Sequence, residues 1–256
     1  MLLTVDVGNT HIRLGVFPVD GGPLERTWSM RTSPSVTSDE LALTIRGLLG
    51  ECAQQLSGIA AMSVVPSVTG ELRRMAADYW PGLRSVVVAP GVKTGVPLLV
   101  DNPREVGSDR VVNALAAHTL FEGPVVVVDV DTATTVDAIS TRGELLGGAI
   151  APGIDISVDA LAERAAALRK IEVVRPRGAL GKNTVAALQA GIVIGFAGQI
   201  DALVDRLRAD VAELSDASVV LTGMRADVVS EESRTVTDVE PELALEGLRL
   251  VYERNC

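Results

Sequence analysis

Two short segments carry the side chains best suited to nucleotide chemistry: Asp6-Val7-Gly8-Asn9-Thr10 near the start, and Asp129-Val130-Asp131-Thr132-Ala133-Thr134-Thr135 near the middle. Each follows an apolar run, Met1 to Val5 and Val125 to Val128, so each sets a carboxylate and small or hydroxyl residues just past a buried strand. That is where α/β sheets bind phosphates. Backbone N–H groups and hydroxyls there converge on phosphate, while the carboxylate holds Mg2+, usually through water. Either segment alone reads equally well as an ordinary turn between strands. Their pairing suggests an internally duplicated nucleotide site.

The copies differ where the second has Asp131 and the first has Gly8. A glycine lets backbone approach phosphate and adopts positive φ freely, whereas an aspartate there repels the ligand. A carboxylate about 5 Å from one phosphate charge, at an effective dielectric near ~20, costs roughly 3 kcal/mol. That is about a hundredfold in affinity.

A third group, Pro103-Arg104-Glu105-Val106-Gly107-Ser108-Asp109-Arg110, joins a helix start to neighbouring acid and base. Asp109 could deprotonate an alcohol and Arg110 bind a carboxylate; helix capping with a solvated ion pair is the alternative. Phosphoryl transfer consists mostly of positioning the γ-phosphate and neutralising its charge, with one carboxylate orienting the attacking hydroxyl. Two further small-residue segments, 147–153 and 181–184, read as a turn and a helix cap. Thr222-Gly223 gives a weak signal for a helix start near an adenine or ribose. His11 and His118 lack a serine, cysteine or metal partner in sequence and read as non-catalytic.

The elements that must position these residues form two similar series. Residues 2–6, 13–17 and 25–31 read as a meander with a turn at Asp20-Gly21-Gly22. Thr37-Ser38-Asp39-Glu40 caps a helix through Leu49, with Leu41, Leu43, Ile45 and Leu48 as its apolar face, ending at Gly50. A strand over 59–65 ended by Pro66, a helix over 69–79 and a strand over 85–88 follow. A Gly- and Pro-rich loop, 90–103, leads to a helix starting near Arg104 or Ser108 and reaching Leu120. The meander then recurs as strands 125–129, 134–140 and 145–150, followed by helices from Ser157, a long helix from Thr184 to about Leu214, a strand over 218–222 and a helix over 243–254. The alternation predicts an α/β fold of two halves, 1–115 and 116–256.

The 256 residues are 47% hydrophobic, without a run of eighteen apolar residues, which predicts a soluble globular protein. No basic n-region or cleavage site opens the sequence, so a cytoplasmic location is expected. Cys52 and Cys256 stand outside any zinc or redox spacing, so no structural disulfide is expected. A net charge of -10 without a basic block, and aromatics at only 3%, argue against nucleic acid and anionic membranes as partners. A small-molecule enzyme fits better.

The five segments 6–10, 103–110, 129–135, 147–153 and 181–184, in this order and spacing, resemble the type III pantothenate kinases over essentially the whole chain. The resemblance implies two duplicated ribonuclease-H-like domains of the actin-like ATPase superfamily, with mixed sheets flanked by helices, and halves that bind ATP together. It implies ATP-dependent phosphorylation of the pantothenate 4′-hydroxyl, the first step towards coenzyme A, with Mg2+ and a monovalent cation, K+ or NH4+, by a homodimer. Carried over, Asp6, Val7, Gly8, Asn9, Thr10, His11, Ile12 and Arg13 form the first phosphate turn, with Asp6 also a metal ligand. Gly107, Ser108, Asp109 and Arg110 contact pantothenate, with Asp109 as the base. Asp129 binds the monovalent cation, Thr132 the ATP phosphates and Thr184 the pantothenate. Relatives usually have glycine at position 131, and many have tyrosine at position 100, where this chain has Val100. Arg13 stands where many have lysine or an apolar residue. Those departures keep a second reading open, a kinase-like protein that has lost turnover and serves a binding or regulatory role.

Overall fold

The valine-rich runs become the central strands of two sheets built to one plan. In the computed structural model, which describes residues 1–19, 21–165 and 168–256, the chain forms two compact units. The first comprises 1–96, 102–116 and 243–256; the second comprises 97–101 and 117–242.

In the first unit, β1 (Leu2–Val7) pairs antiparallel with β2 (His11–Phe17), which pairs antiparallel with β3 (Arg26–Arg31). Helix α1 (Ser38–Leu49) starts at a capping box, with the Thr37 side chain accepting from Glu40 N–H and the Glu40 carboxylate accepting from Thr37 N–H. It buries Leu41, Ala42, Ile45 and Leu49, whereas Leu43 is 76% exposed. The expected face was wrong at Leu43 because two helical steps from Leu41 rotate a side chain by about 200°. Strand β4 (Gly58–Ser63) lies parallel to β1, α2 spans Pro66–Tyr79, and β5 (Arg84–Val87) lies parallel to β4. Pro66 occupies the first turn of α2 rather than merely ending the strand. That position lacks an intrahelical N–H bond in any case, so proline is tolerated there. The Asp20 corner of the expected turn lies outside the described residues.

Helix α3 (Ser108–Leu120) follows a single 3-10 turn at Pro103–Glu105. The second series is β6 (Val125–Val130), antiparallel to β7 (Ala133–Ile139), which is antiparallel to β8 (Leu145–Pro152). After α4 (Ile154–Arg164) and α5 (Thr184–Asp210) come β9 (Ser218–Thr222), parallel to β6, the short α6 (Ala226–Ser230), and β10 (Asp238–Val239), parallel to β9. Two sheets result, ordered β3-β2-β1-β4-β5 and β8-β7-β6-β9-β10. Position by position this is one topology used twice, and β1 and β6 even share the burial pattern of their six residues.

Val125, Val126, Val127 and Val128 are at most 1% exposed, so β6 is buried on both faces. Each such side chain contributes about 1.5–3 kcal/mol relative to exposure. Helix α7 (Leu243–Asn255) returns from the end of the second series to pack on β1, β2, β4 and β5 in the first unit, burying Leu243, Leu245, Leu248 and Val251. Helix α5 is 27 residues long and apolar enough to cross a membrane by length and composition. Its Ile192, Val193, Ile200 and Val204 instead sit in the hydrophobic core of the second unit. Gly191, Gly195, Gly198 and Ala202 lie on a different, exposed face.

Candidate active site

The two Asp-led turns are built alike, each within its own unit. In the first, Asp6 is the penultimate residue of β1 and stands opposite Arg13 in the β1–β2 register. Arg13 Nε lies 3.6 Å from Asp6 Oδ2, with both side chains about 85% removed from solvent (14% and 15% exposed). The turn spans residues 8–11 between the paired Val7 and Ile12, and Gly8 N–H donates to His11 O at 2.9 Å. Thr32, the residue after β3, fixes it: its N–H donates to Thr10 O at 2.9 Å and its hydroxyl to Gly8 O at 2.8 Å. From the far side of β1, Val64 N–H donates to Val7 O at 3.0 Å. Asn9 and Thr10 are exposed at the tip, while Val7 and Ile12 are buried anchors.

In the second turn Asp129 is again penultimate in its strand, but its cross-strand neighbour is Thr135. The turn, 131–133 between the paired Val130 and Thr134, is one residue shorter, and Asp131 N–H donates to Ala133 O at 3.0 Å. Gly153, the residue after β8, donates its N–H to Thr132 O at 3.0 Å, and Arg225 N–H donates to Val130 O at 3.1 Å. A Cβ on Gly153 would lie 2.0 Å from Asp131 O and 2.5 Å from Thr132 O. Gly223, at φ 97°, passes so close that a Cβ there would lie 2.5 Å from Asp129 Oδ1. These two glycines, one closing the 147–153 segment and one in Thr222-Gly223, let neighbouring backbone lie directly against the turn.

Asp131 does occupy the first position of its turn, as Gly8 does. The expected backbone penalty does not arise. Among the described residues no non-glycine has positive φ, and Gly8 is not among the glycines that do. The first position of each turn therefore has backbone that any residue adopts, and what separates Asp131 from Gly8 there is charge.

The third motif lies at the N-terminus of α3. Gly107 O accepts from Val111 N–H at 3.3 Å, and Asp109 stands in the first turn of the helix. A Cβ on Gly107 would lie 2.3 Å from Asp109 Oδ1, so the glycine leaves the carboxylate its place. Ser108, Asp109 and Arg110 are half-buried. Thr184 is the exposed first residue of α5, next to Asn183, whose Oδ1 accepts from Ala186 N–H at 2.9 Å. A cavity of about 690 Å3 opens there, lined by Arg175, Arg177, Lys182, Asn183 and Gln189 among others. Each motif stays compact within its unit: 6–13 in one turn, 107–110 at one helix start, and 129 with 132 around another turn.

Among the described residues no three His, Cys, Asp or Glu side chains group to hold a metal ion. A Mg2+ ion with one carboxylate, nucleotide phosphates and waters as ligands suits this donor set; a cage made wholly of protein does not. Both cysteines are free.

The repeated mixed sheets with flanking helices place the chain in the fold class of actin-like ATPases and sugar kinases. The activator of the 2-hydroxyisocaproyl-CoA dehydratase from Clostridium difficile, solved with bound ADPNP, aligns with a TM-score of 0.59 at 11% identity, covering 98% of this chain and 94% of that one. At that identity the likeness concerns the fold alone. Within the class, residues 2–206 match the type III pantothenate kinase family. The type III pantothenate kinase of Rhodococcus erythropolis is 57% identical over 259 residues, covering 100% of this chain and 96% of the relative. That of Saccharopolyspora erythraea is 57% identical over 265 residues, covering 100% and 99%. The chain belongs to the type III pantothenate kinase family.

Proposed function

We propose that this protein transfers the γ-phosphoryl group of ATP to the 4′-hydroxyl of pantothenate, giving 4′-phosphopantothenate and ADP at the entry to coenzyme A synthesis. The observation that carries the reading is the twofold Asp-led turn at one place in two copies of one sheet, in a chain of this family. Residues 6–13 and Thr132 take the ATP phosphates. Gly107, Ser108, Arg110 and Thr184 hold pantothenate. Asp109 accepts the proton of the hydroxyl as its oxygen bonds to the γ-phosphorus and the bond to the β–γ bridging oxygen breaks. Asp129 would hold a monovalent cation, K+ or NH4+, and Asp6 would hold Mg2+, which would supply neutralisation of the charge on the ATP phosphates.

The protein is read as cytoplasmic, and its working form as a homodimer. The dimer is supported by the exposed face of α5, where Gly191, Gly195 and Gly198 have open space around them. Small residues let helix backbones approach closely; light scattering measures the state directly.

The decisive assay couples ADP release to pantothenate phosphorylation with Mg2+ and K+. Asp109→Asn is expected to lower turnover at least about a hundredfold, because the hydroxyl loses its base. Unchanged turnover would remove Asp109 from that role. No activity in either the native chain or Asp131→Gly would leave the binding or regulatory reading, whose motivation is the Asp131 charge.

A further inference from the structure

The two segments that grip the second turn are also tied to each other. Gly153 and Arg225 donate backbone N–H groups to Thr132 O and Val130 O, the carbonyls on either side of Asp131. Two residues beyond Gly153, in the first turn of α4, Asp155 accepts both arms of the Arg225 guanidinium, Nε to Oδ2 at 3.1 Å and Nη2 to Oδ1 at 2.7 Å. The hydrogen bonds therefore form a ring from Val130 O through Arg225 and Asp155 to Gly153 and back to Thr132 O.

The side chains are 36% and 50% exposed, so the ion pair adds little to global stability. Its geometry is another matter. A two-pronged arginine–carboxylate contact fixes distance and orientation together, which a single hydrogen bond or a lysine does not. Each partner lies no more than two residues from the backbone donor it steadies, and Gly153 has no side chain to absorb displacement. We infer that Asp155 and Arg225 are positioning residues for ATP: their ion pair holds α4 and the β9–α6 turn at the spacing that presents Thr132 and the neighbouring amides to phosphate. This rests on the reading that Thr132 contacts the ATP phosphates.

The test measures KM for ATP and for pantothenate, binding of a non-hydrolysable ATP analogue by calorimetry, and the thermal midpoint, on Thr132→Val, Asp155→Asn, Arg225→Gln, Arg225→Lys and the exchanged pair Asp155→Arg with Arg225→Asp. The Asp155→Asn and Arg225→Gln variants are each expected to weaken ATP and its analogue about tenfold. KM for pantothenate should stay within about twofold and the midpoint within about 3 °C. Arg225→Lys should fall between, and the exchanged pair should recover to within about threefold of the native value, since it rebuilds the tie with reversed polarity. Amide exchange at Gly153 and Arg225 should quicken in the single variants and slow again in the exchanged pair.

Native ATP affinity in both Asp155→Asn and Arg225→Gln, with Thr132→Val still impaired, would overturn the tie alone. An exchanged pair as weak as Arg225→Gln would also overturn it, by showing that the arginine acts on the ligand directly. A Thr132→Val protein with unchanged ATP affinity would instead sink the underlying reading of the turn.

Discussion

The two Asp-led turns share a scaffold and differ in how it is fastened. In each, the residue after the third strand donates to the turn, Thr32 to Thr10 O and Gly153 to Thr132 O, and a residue after the fourth strand donates to the end of the central strand, Val64 to Val7 O and Arg225 to Val130 O. Beyond these contacts the Thr32 hydroxyl holds Gly8 O, and the first unit joins its two flanking segments through single hydrogen bonds, the Ser67 hydroxyl on Pro34 O at 2.7 Å and Ser38 N–H on the Glu71 carboxylate at 2.9 Å. The second unit joins the corresponding segments with the Asp155–Arg225 ion pair. Charge sits differently inside the turns as well. Asp6 faces Arg13 across its hairpin, while Asp129 faces Thr135 and has Asp131 two residues on. Duplication has preserved the strand order and the flanking hydrogen bonds, and has let the turn length, by one residue, and the charges diverge.

The most forceful way to break this contrast is to equalise the charge. Asp131→Gly should lower KM for ATP by up to about a hundredfold, the full repulsion of about 3 kcal/mol. The reciprocal Gly8→Asp should raise it by a similar factor, since neither position needs positive φ. An unchanged KM in Asp131→Gly would show that the native protein already offsets the carboxylate.

Gly153→Ala forces a methyl group onto two carbonyl oxygens and should destabilise the second unit by about 2–3 kcal/mol, read from urea midpoints. The counterpart across the contrast is Thr32→Ala, which loses one hydroxyl–carbonyl bond and should cost only about 1 kcal/mol. Equal losses would mean that the two turns are fastened alike.

Between these in size is a charge-held segment of the second unit. Burial opposes ionisation of Asp201 on α5, yet hydrogen bonds from Arg234 N–H, the Thr235 hydroxyl, the Ser233 hydroxyl and Thr235 N–H hold its carboxyl below the ordinary aspartate range. A folded-state pKa below the unfolded one gives stability that is present above the unfolded value, near ~3.9, and lost as pH falls through the folded value. Asp201→Asn should therefore cost about 1–2 kcal/mol at pH 7 and flatten the acid limb of the stability curve below about pH 4.

Much of the scaffold was legible because it rests on local chemistry. Apolar runs ended by Asp gave both central strands, and Thr37 with Glu40 gave the start of α1. What stayed hidden depends on contacts distant in sequence. Leu43 counted towards a core face although the helical turn carries it to solvent. Strand β10 has only two residues, too few for a period to register. Asp155 and Arg225 lie 70 residues apart, and neither stands in a recognisable motif. Gly153 and Gly223 were visible as glycines, but the carbonyls and carboxylate they approach belong to another segment. The return of α7 to the first sheet has no local signature, because its amphipathic pattern says that a face is buried and nothing of which sheet buries it.

That returning helix makes the first unit depend on segments far apart in sequence. Residues 97–101 and 117–242 supply the second unit, whereas side chains from 243–256 cover β1 and β4 of the first. Contacts so distant incur the entropy of loop closure before they are rewarded, so the first unit is expected to be the slower half to complete its core. A chain without Leu243, Leu245, Leu248 and Val251 leaves those strands uncovered on that side.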